Sequence, residues 1–303
     1  MWKYIVKRVL LAVLTVFIII TITFFAMNAV PGGPFSSEKA PSKEVQAVLE
    51  ARYNLNKPIG EQFVIYLGNL LHGDFGISLK SGRDIGEIIS QGFSISARIG
   101  LLAAFSALIV GVVLGSIAAL MRNKWPDRVI IFCTTLFVSV PSFVLATLLL
   151  LVFCLKLGWI GVWSATSTNY LLPVISLALY PMSYITRLTK SSMLDVLGQD
   201  YIRTAYAKGV SRFFVIFKHA LKNALVPVIT YFGPMVAYIL TGSLVVETVF
   251  TIGGLGTKFV DSITNRDYPL IMAVTIFLAV LMVIATLISD LVYKAVDPRI
   301  NFE

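Results

Sequence analysis

The sequence predicts an all-α membrane protein: six transmembrane helices, a cytoplasmic helical insert, and an external helical segment after span one. Three observations carry that prediction. The 303-residue chain is 57% hydrophobic and 14% charged, against roughly 25% charged for a soluble domain. Six stretches lack any charged residue for about 20 positions or more, the length an α-helix needs to cross about 30 Å of hydrocarbon. The remaining charges are clustered, most densely in residues 187–222, with seven basic and two acidic side chains.

The first stretch runs from Val9 to Val30 behind Lys3, Lys7 and Arg8. Ala26 and Ala29 give a weak cleavage pattern, but an apolar run of 22 residues exceeds the roughly 7–15 of a signal peptide, so it reads as a retained span. Pro31-Gly32-Gly33-Pro34 then breaks the helix and opens an external region, 31–98. Within it Val45, Val48 and Leu49 share a helical face, as do Phe63, Leu67 and Leu70, and Ile85, Ile88 and Ile89. These segments read either as a small cap on the membrane domain or as a docking surface for an external partner.

The second and third spans, Ile99 to Met121 and Val129 to Leu155, are joined by residues 122–128, a link short enough to make them a tight antiparallel pair. Cys133 and Cys154, 21 positions apart on one expected helix, lie too far apart to form a disulfide. The fourth stretch, Leu157 to Thr186, begins with a loop-like Gly158 to Asn169, so its helix starts near Tyr170. The fifth runs from Asn223 to Val246 and the sixth from Tyr268 to Ser289.

Prolines 141, 173, 181, 227 and 234 interrupt these spans, each removing a backbone donor and tending to kink its helix. Such breaks are tolerated where a neighbouring helix or a watery cavity satisfies the freed carbonyls. Ser139, Ser142, Ser183, Tyr184, Tyr231, Thr241 and Ser243 lie near the kinks or on the same spans. They read as candidates for a polar translocation path, or equally as hydroxyl residues that pack helices.

Basic residues are retained on the cytoplasmic side during insertion. With the N-terminus inside, the segments 1–8, 122–128, 187–222 and 290–303 hold 15 of the 25 Lys and Arg in 65 residues, and the outer segments spread the other 10 over 104. Both termini and the insert are therefore expected in the cytoplasm. This asymmetry accounts for the net charge of +9 without any nucleic-acid partner.

Catalytic chemistry has no foothold within the spans. The two histidines, His72 and His219, fall outside them, and so does every Asp and Glu, the nearest being Glu247 and Asp290. An intramembrane protease needs a nucleophile with a base or paired aspartates there, and a metal centre needs clustered ligands. An ion-coupled carrier usually keeps an ionisable group at membrane depth, although backbone and hydroxyl sodium sites leave that class open. The phosphate-cradling G-x-x-x-x-G-K-[ST] loop is missing, and Gly253-Gly254-Leu255-Gly256-Thr257-Lys258 has the wrong order. The chain cannot power itself with ATP; if transport is energised that way, a partner must supply the energy.

Within the insert, Asp200 suits an N-cap or first turn, residues 203–208 suit two helical turns, and Gly209 is placed to end them. A second helix can start at Ser211 and run through Phe214, Phe217 and Lys218 into the fifth span. The aromatic and small side chains Tyr201, Ala205, Tyr206 and Ala207 suit insertion into a protein groove, where a purely basic loop would suit anionic lipid.

Arg203-Thr204-Ala205-Tyr206-Ala207-Lys208-Gly209 resembles the cytoplasmic "EAA" motif of ATP-binding-cassette importer permeases, in the version found in the dipeptide and oligopeptide group. Arg203 stands where the broader motif has Glu, and Pro227 lies farther from Gly209 than in many importers; both departures are typical of that group. The resemblance continues in His72-Gly73-Asp74-Phe75-Gly76, in His219 to Pro227, in Val246-Glu247-Thr248-Val249-Phe250 with Gly254 and Gly256, in Asn265-Arg266-Asp267-Tyr268, and in Asp297-Pro298-Arg299. With Tyr53 to Ile59 and the long external region, the chain is most similar to the B-type permease subunit of oligopeptide importers.

The resemblance implies one permease domain over 1–303, with residues 31–98 external and 187–222 the cytoplasmic coupling loop. It implies a bacterial inner-membrane subunit, itself non-catalytic, that translocates oligopeptides, with dipeptides, nickel complexes and glutathione as alternative cargos; apart from the resemblance, a peripheral-partner scaffold or receptor with no pore and an ion-coupled carrier are the readings from other classes. Its partners would be a homologous C-type permease, two cytoplasmic ATPases carrying ATP and Mg, and an external peptide-binding protein. Asp200, Tyr201, Arg203, Thr204, Ala205, Tyr206, Ala207, Lys208 and Gly209 would form the coupling helix that docks on an ATPase.

Overall fold

A computed structural model describes residues 2–30, 56–164, 168–241 and 243–296. The expected break at Pro31 to Pro34, the amphipathic face of Val45, Val48 and Leu49, and the Asp297-Pro298-Arg299 motif lie outside the described residues. Among the described residues, four helices are long and apolar enough to cross a membrane: Val6–Ala29, Ile85–Leu120, Leu171–Leu197 and Tyr268–Ser289. Two bent pairs, Trp125–Ser139 with Ser142–Lys156 and Arg212–Ala224 with Val226–Leu240, bring the number to six when each counts as one span. The chain divides into two compact units, one of residues 1–94 and 254–283, the other of 95–253 and 284–303.

The first unit is built from α1 (Trp2–Ala29), α2 (Ile59–Leu71), the start of α3 (Ile85–Leu120), α11 (Leu255–Thr264) and the start of α12 (Tyr268–Val296). Ile85, Ile88 and Ile89 do share a buried face, packed on Leu255, Leu270, Ala273 and Val274. They do not form a separate segment, because α3 runs unbroken from there into the second span. Its start is explained by Asp84, whose carboxylate accepts the Glu87 N–H at 2.9 Å, the geometry of an N-cap. Asp267, from the Asn265 to Tyr268 motif, is buried; it accepts from the Ser78 hydroxyl and from the Leu79 N–H at 3.2 Å, tying the 78–79 loop to the start of α12.

The second unit holds the rest of α3 with α4 (Trp125–Ser139), α5 (Ser142–Leu149, continued by a π-helical Leu150–Lys156), α6 (Leu171–Leu197), α7 (Asp200–Ala207), α8 (Arg212–Ala224), α9 (Val226–Leu240) and α10 (Leu244–Val249). Here α3 approaches α6 through glycine. A Cβ on Gly111 would stand 2.7 Å from the Ile185 side chain, and one on Gly115 would stand 2.5 Å from the Thr186 carbonyl oxygen. Lipid tails are as apolar as leucine, so close packing through small residues, and not apolar burial, holds membrane helices together. Ala103, Ala104 and Ala107 extend that contact to Ala178 and Ile185 of α6 and to Val228, Met235 and Ile239 of α9.

The third span departs from the straight helix the sequence suggests. α4 and the Ser142–Lys156 helix meet at 104°, because Pro141 cannot donate to the α4 ladder and instead begins a new helix, its carbonyl accepting from Val144 at 3.0 Å. Cys133 and Cys154 therefore sit on different arms and not on one helix; both are free thiols. The fifth span bends by 49° before α9, with Pro227 in the first turn of α9, and ends at Leu240, six residues short of Val246. Val246 instead belongs to α10, whose N-cap Ser243 accepts from the Val246 N–H. In α10 Glu247 is buried and accepts the Ser96 hydroxyl at 2.7 Å. Tyr170 caps α6, where the helix start was expected.

Candidate functional site

The insert of residues 187–222 is helical almost throughout. α6 continues past Thr186 to Leu197, so the polar segment begins as an extension of the fourth span. That extension is fixed at its base by Lys190, which donates to the buried Asp127 carboxylate near the start of α4. The same carboxylate accepts the Asn123 N–H at 2.9 Å. Arg187 donates to the Thr135 hydroxyl at 2.9 Å, one helix away. Two basic side chains of the charge-dense insert thus brace its stem.

α7 follows, with Gln199 and not Asp200 at the N-cap and Asp200 in the first turn. The helix is amphipathic. Ile202 and Ala205 are buried among Met193, Ala119, Val215 and Ala220, which fixes α7 to the ends of α3 and α6 and to α8. Ala205, expected to dock on a partner, is instead part of this anchor, because its face is covered by the chain's own helices. Asp200, Tyr201, Arg203, Thr204, Tyr206, Ala207, Lys208 and Gly209 remain exposed. Tyr201 is tethered all the same, its hydroxyl accepting from Asn223 at 3.0 Å. Arg203 lies 3.7 Å from Asp200, with side chains 78% and 97% exposed; such a pair is weakly held.

Gly209 ends α7 at φ +76°. Its N–H reaches the Tyr206 carbonyl at 2.9 Å and the Val210 N–H reaches the Ala205 carbonyl at 3.2 Å, the two bonds of a Schellman motif. The left-handed turn redirects the chain into α8, for which Ser211 is the N-cap, as the sequence suggested. α8 turns Val215, Ile216 and Ala220 inward and leaves Phe213, Phe214 and Phe217 exposed, with the rings of Phe213 and Phe217 4.5 Å apart.

The path candidates separate into groups. Tyr184 of α6 and Tyr231 of α9 come together, with ring centroids 4.3 Å apart. Tyr180, one turn earlier on α6, and Tyr238, two turns later on α9, are also exposed. Sequence reasoning missed these two, although their spacings of four and seven from Tyr184 and Tyr231 are helical-face signals. Ser139 and Ser142 flank the bend at Pro141 and are exposed. Ser183 faces the other way: it is fully buried and its hydroxyl bonds the Leu179 carbonyl at 2.8 Å, so it offers nothing to a path. The Thr241 hydroxyl likewise bonds back to the Tyr238 carbonyl at 2.6 Å, and Ser243 is occupied as the α10 cap.

Residues 111–302 match the family described as "Binding-protein-dependent transport system inner membrane component", and residues 1–83 match the corresponding N-terminal family. The chain belongs to this transport-system membrane-component family. It is 46% identical to the dipeptide transport system permease protein of Bacillus subtilis, over 99% of this chain and 98% of that one. It is 43% identical to the oligopeptide transport system permease protein of Haemophilus influenzae and 42% identical to that of Escherichia coli, each over the full length of both chains. Among solved structures, an inward-facing MetNI methionine transporter superposes with a TM-score of 0.56 at 17% identity, over 69% of this chain and 96% of that one. At that identity the likeness establishes the fold of the membrane component. The chain is a multi-pass membrane protein of this family.

Proposed function

We propose that this chain is the membrane subunit of an ATP-driven importer that carries short peptides inward across a bacterial inner membrane. The observation that carries this reading is the full-length similarity to permeases named for dipeptide and oligopeptide transport. The chain hydrolyses nothing itself: two cytoplasmic ATPases bind ATP and Mg, a homologous C-type permease completes the path, and an external binding protein delivers the peptide. Both termini and the insert face the cytoplasm, supported by the concentration of Lys and Arg in those segments.

The exposed side of α7 docks on an ATPase, with Tyr206 as its apolar contact and Arg203 and Lys208 as its charged ones. The buried side transmits movement, since Ile202 and Ala205 lock α7 to α6 and α8. Coupling requires the ATPase to bind two arrangements of the spans with different affinity. The tyrosines of α6 and α9 form the side of the path this chain contributes.

Co-purification tests the docking. A tagged chain should carry two ATPase subunits through purification in mild detergent, and Arg203→Glu with Tyr206→Ala should release them while leaving the C-type permease attached. Retention of the ATPases by that double variant counts against α7 as their site.

A further inference from the structure

The first unit contains a partly enclosed cavity of about 260 Å³ that none of the transport machinery above uses. It lies between the C-terminal turns of α1, helix α2, residues 74–79 and the first turn of α12. Most of its wall is apolar, with Phe24, Met27, Ile65, Phe75 and Met272 contributing. The aromatic rings of Phe24 and Tyr66 pack 5.6 Å apart across α1 and α2, so this wall is set by packed helices.

Two of the lining residues are out of place in such a wall. Among the described residues, the hydroxyls of Tyr66 and Tyr268 are both buried and have no hydrogen-bond partner, and Tyr268 as a residue is only 9% exposed. A buried hydroxyl without a partner carries a desolvation cost that proteins normally avoid. Burial also pushes the Tyr66 phenol up from its ordinary value, which keeps it a neutral donor. The other polar side chains of the lining are committed or exposed: the Asn28 amide bonds the Phe24 carbonyl, Gln62 the Lys57 carbonyl and Asp74 the Gly76 N–H, while Asn69 is an exposed residue. The cavity's buried, unpartnered polar groups are two O–H donors set in a mostly apolar wall.

Those features define the occupant's chemistry: neutral acceptor oxygens on an apolar body. No Lys, Arg or His is among the described lining residues, so a free carboxylate or phosphate would lack a counter-charge, and the one carboxylate present is turned into its own loop. The depth points the same way. The cavity sits where α1 ends and α12 begins, at the ends of two spans, the level at which tyrosines meet the membrane interface and where lipid ester carbonyls lie. We propose that this cavity binds the glycerol-ester region of a diacyl membrane lipid, with the hydroxyls of Tyr66 and Tyr268 donating to its ester carbonyls. The cavity takes the esters and the first methylenes, and the acyl chains continue along α1.

Ether lipids provide the test, because they keep the shape and the head group and lack the carbonyls. The full-length chain with its co-purifying subunits is stripped of lipid in detergent, then titrated with dioleoyl phosphatidylglycerol or its diether analogue while thermal stability and native mass spectra are recorded. The diester should bind at least about fivefold more tightly than the diether, as expected for neutral hydrogen bonds made to one and not the other. The Tyr66→Phe, Tyr268→Phe double variant keeps both rings and, lacking orphaned hydroxyls, should melt no lower than the parent when lipid-free. In it the preference for diester should vanish. Equal binding of diester and diether by the parent, as expected if water alone fills the cavity, overturns the proposal. So does a diester preference that survives in the double variant, or displacement of the diester by trialanine.

Discussion

At Gly209 the backbone turns through φ +76° with open space where a side chain would project, so the cost of a substitution there is conformational and not steric. A β-branched residue in this region costs about 1–2 kcal/mol, and the Schellman closure of α7 would open to relieve it. Gly209→Val should leave the protein inserted and expressed but lower peptide uptake per ATP hydrolysed; Gly209→Asn, which tolerates the left-handed region, should retain much of it. Comparing uptake with phosphate release in proteoliposomes checks both. Unchanged coupling in the valine variant contradicts the assignment of α7. At the base of the insert, Asp127 and Lys190 form a largely buried pair. Removing one partner leaves an uncompensated charge and costs about 3–5 kcal/mol, whereas replacing both with apolar residues of similar size is far milder. Asp127→Ala should therefore lower the melting temperature in detergent more than Asp127→Leu combined with Lys190→Met.

Among the elements, the α3 and α6 pair bears most directly on the proposed path, because α6 carries Tyr180 and Tyr184 on its exposed side and meets α3 on its buried side. A side chain at Gly115 would collide with the Thr186 backbone, which cannot rotate away, so Gly115→Val should cost about 1–3 kcal/mol by overpacking and reduce the monodisperse peak in detergent chromatography. Element boundaries were legible where a local signal sets them. Tyr170 and Leu171 open α6 after a loop-like stretch, and Ser211 and Gly209 delimit their helices. The early start of α3 was missed although Asp84 followed by Glu87 is a capping pattern, because charges at Arg83, Glu87 and Arg98 placed that turn outside any charge-free window. Proline positions were legible as interruptions but not their consequences: Pro181 is carried inside α6, while Pro141 marks a 104° bend. The difference lies in tertiary contacts that one sequence does not display.

For the whole molecule, composition points to lipid as the main solvent and charge asymmetry supports the proposed topology, while the site depends on what the helices bury. Ala205 could not be told from Ala207 by residue type; the first is enclosed by Met193 and Val215 and the second is exposed. Lys190 likewise reads as one more positive charge until the fold brings it to Asp127. The same enclosure packs α7 against the membrane helices, which is what the proposed coupling to an ATPase requires. Uptake of a radiolabelled tripeptide into liposomes containing this chain, its C-type partner and two ATPases, supplied with the binding protein, tests that most directly. Accumulation should require ATP, be abolished when this chain is omitted, and persist when proton and sodium gradients are collapsed. Accumulation driven by an ion gradient without ATP would contradict it.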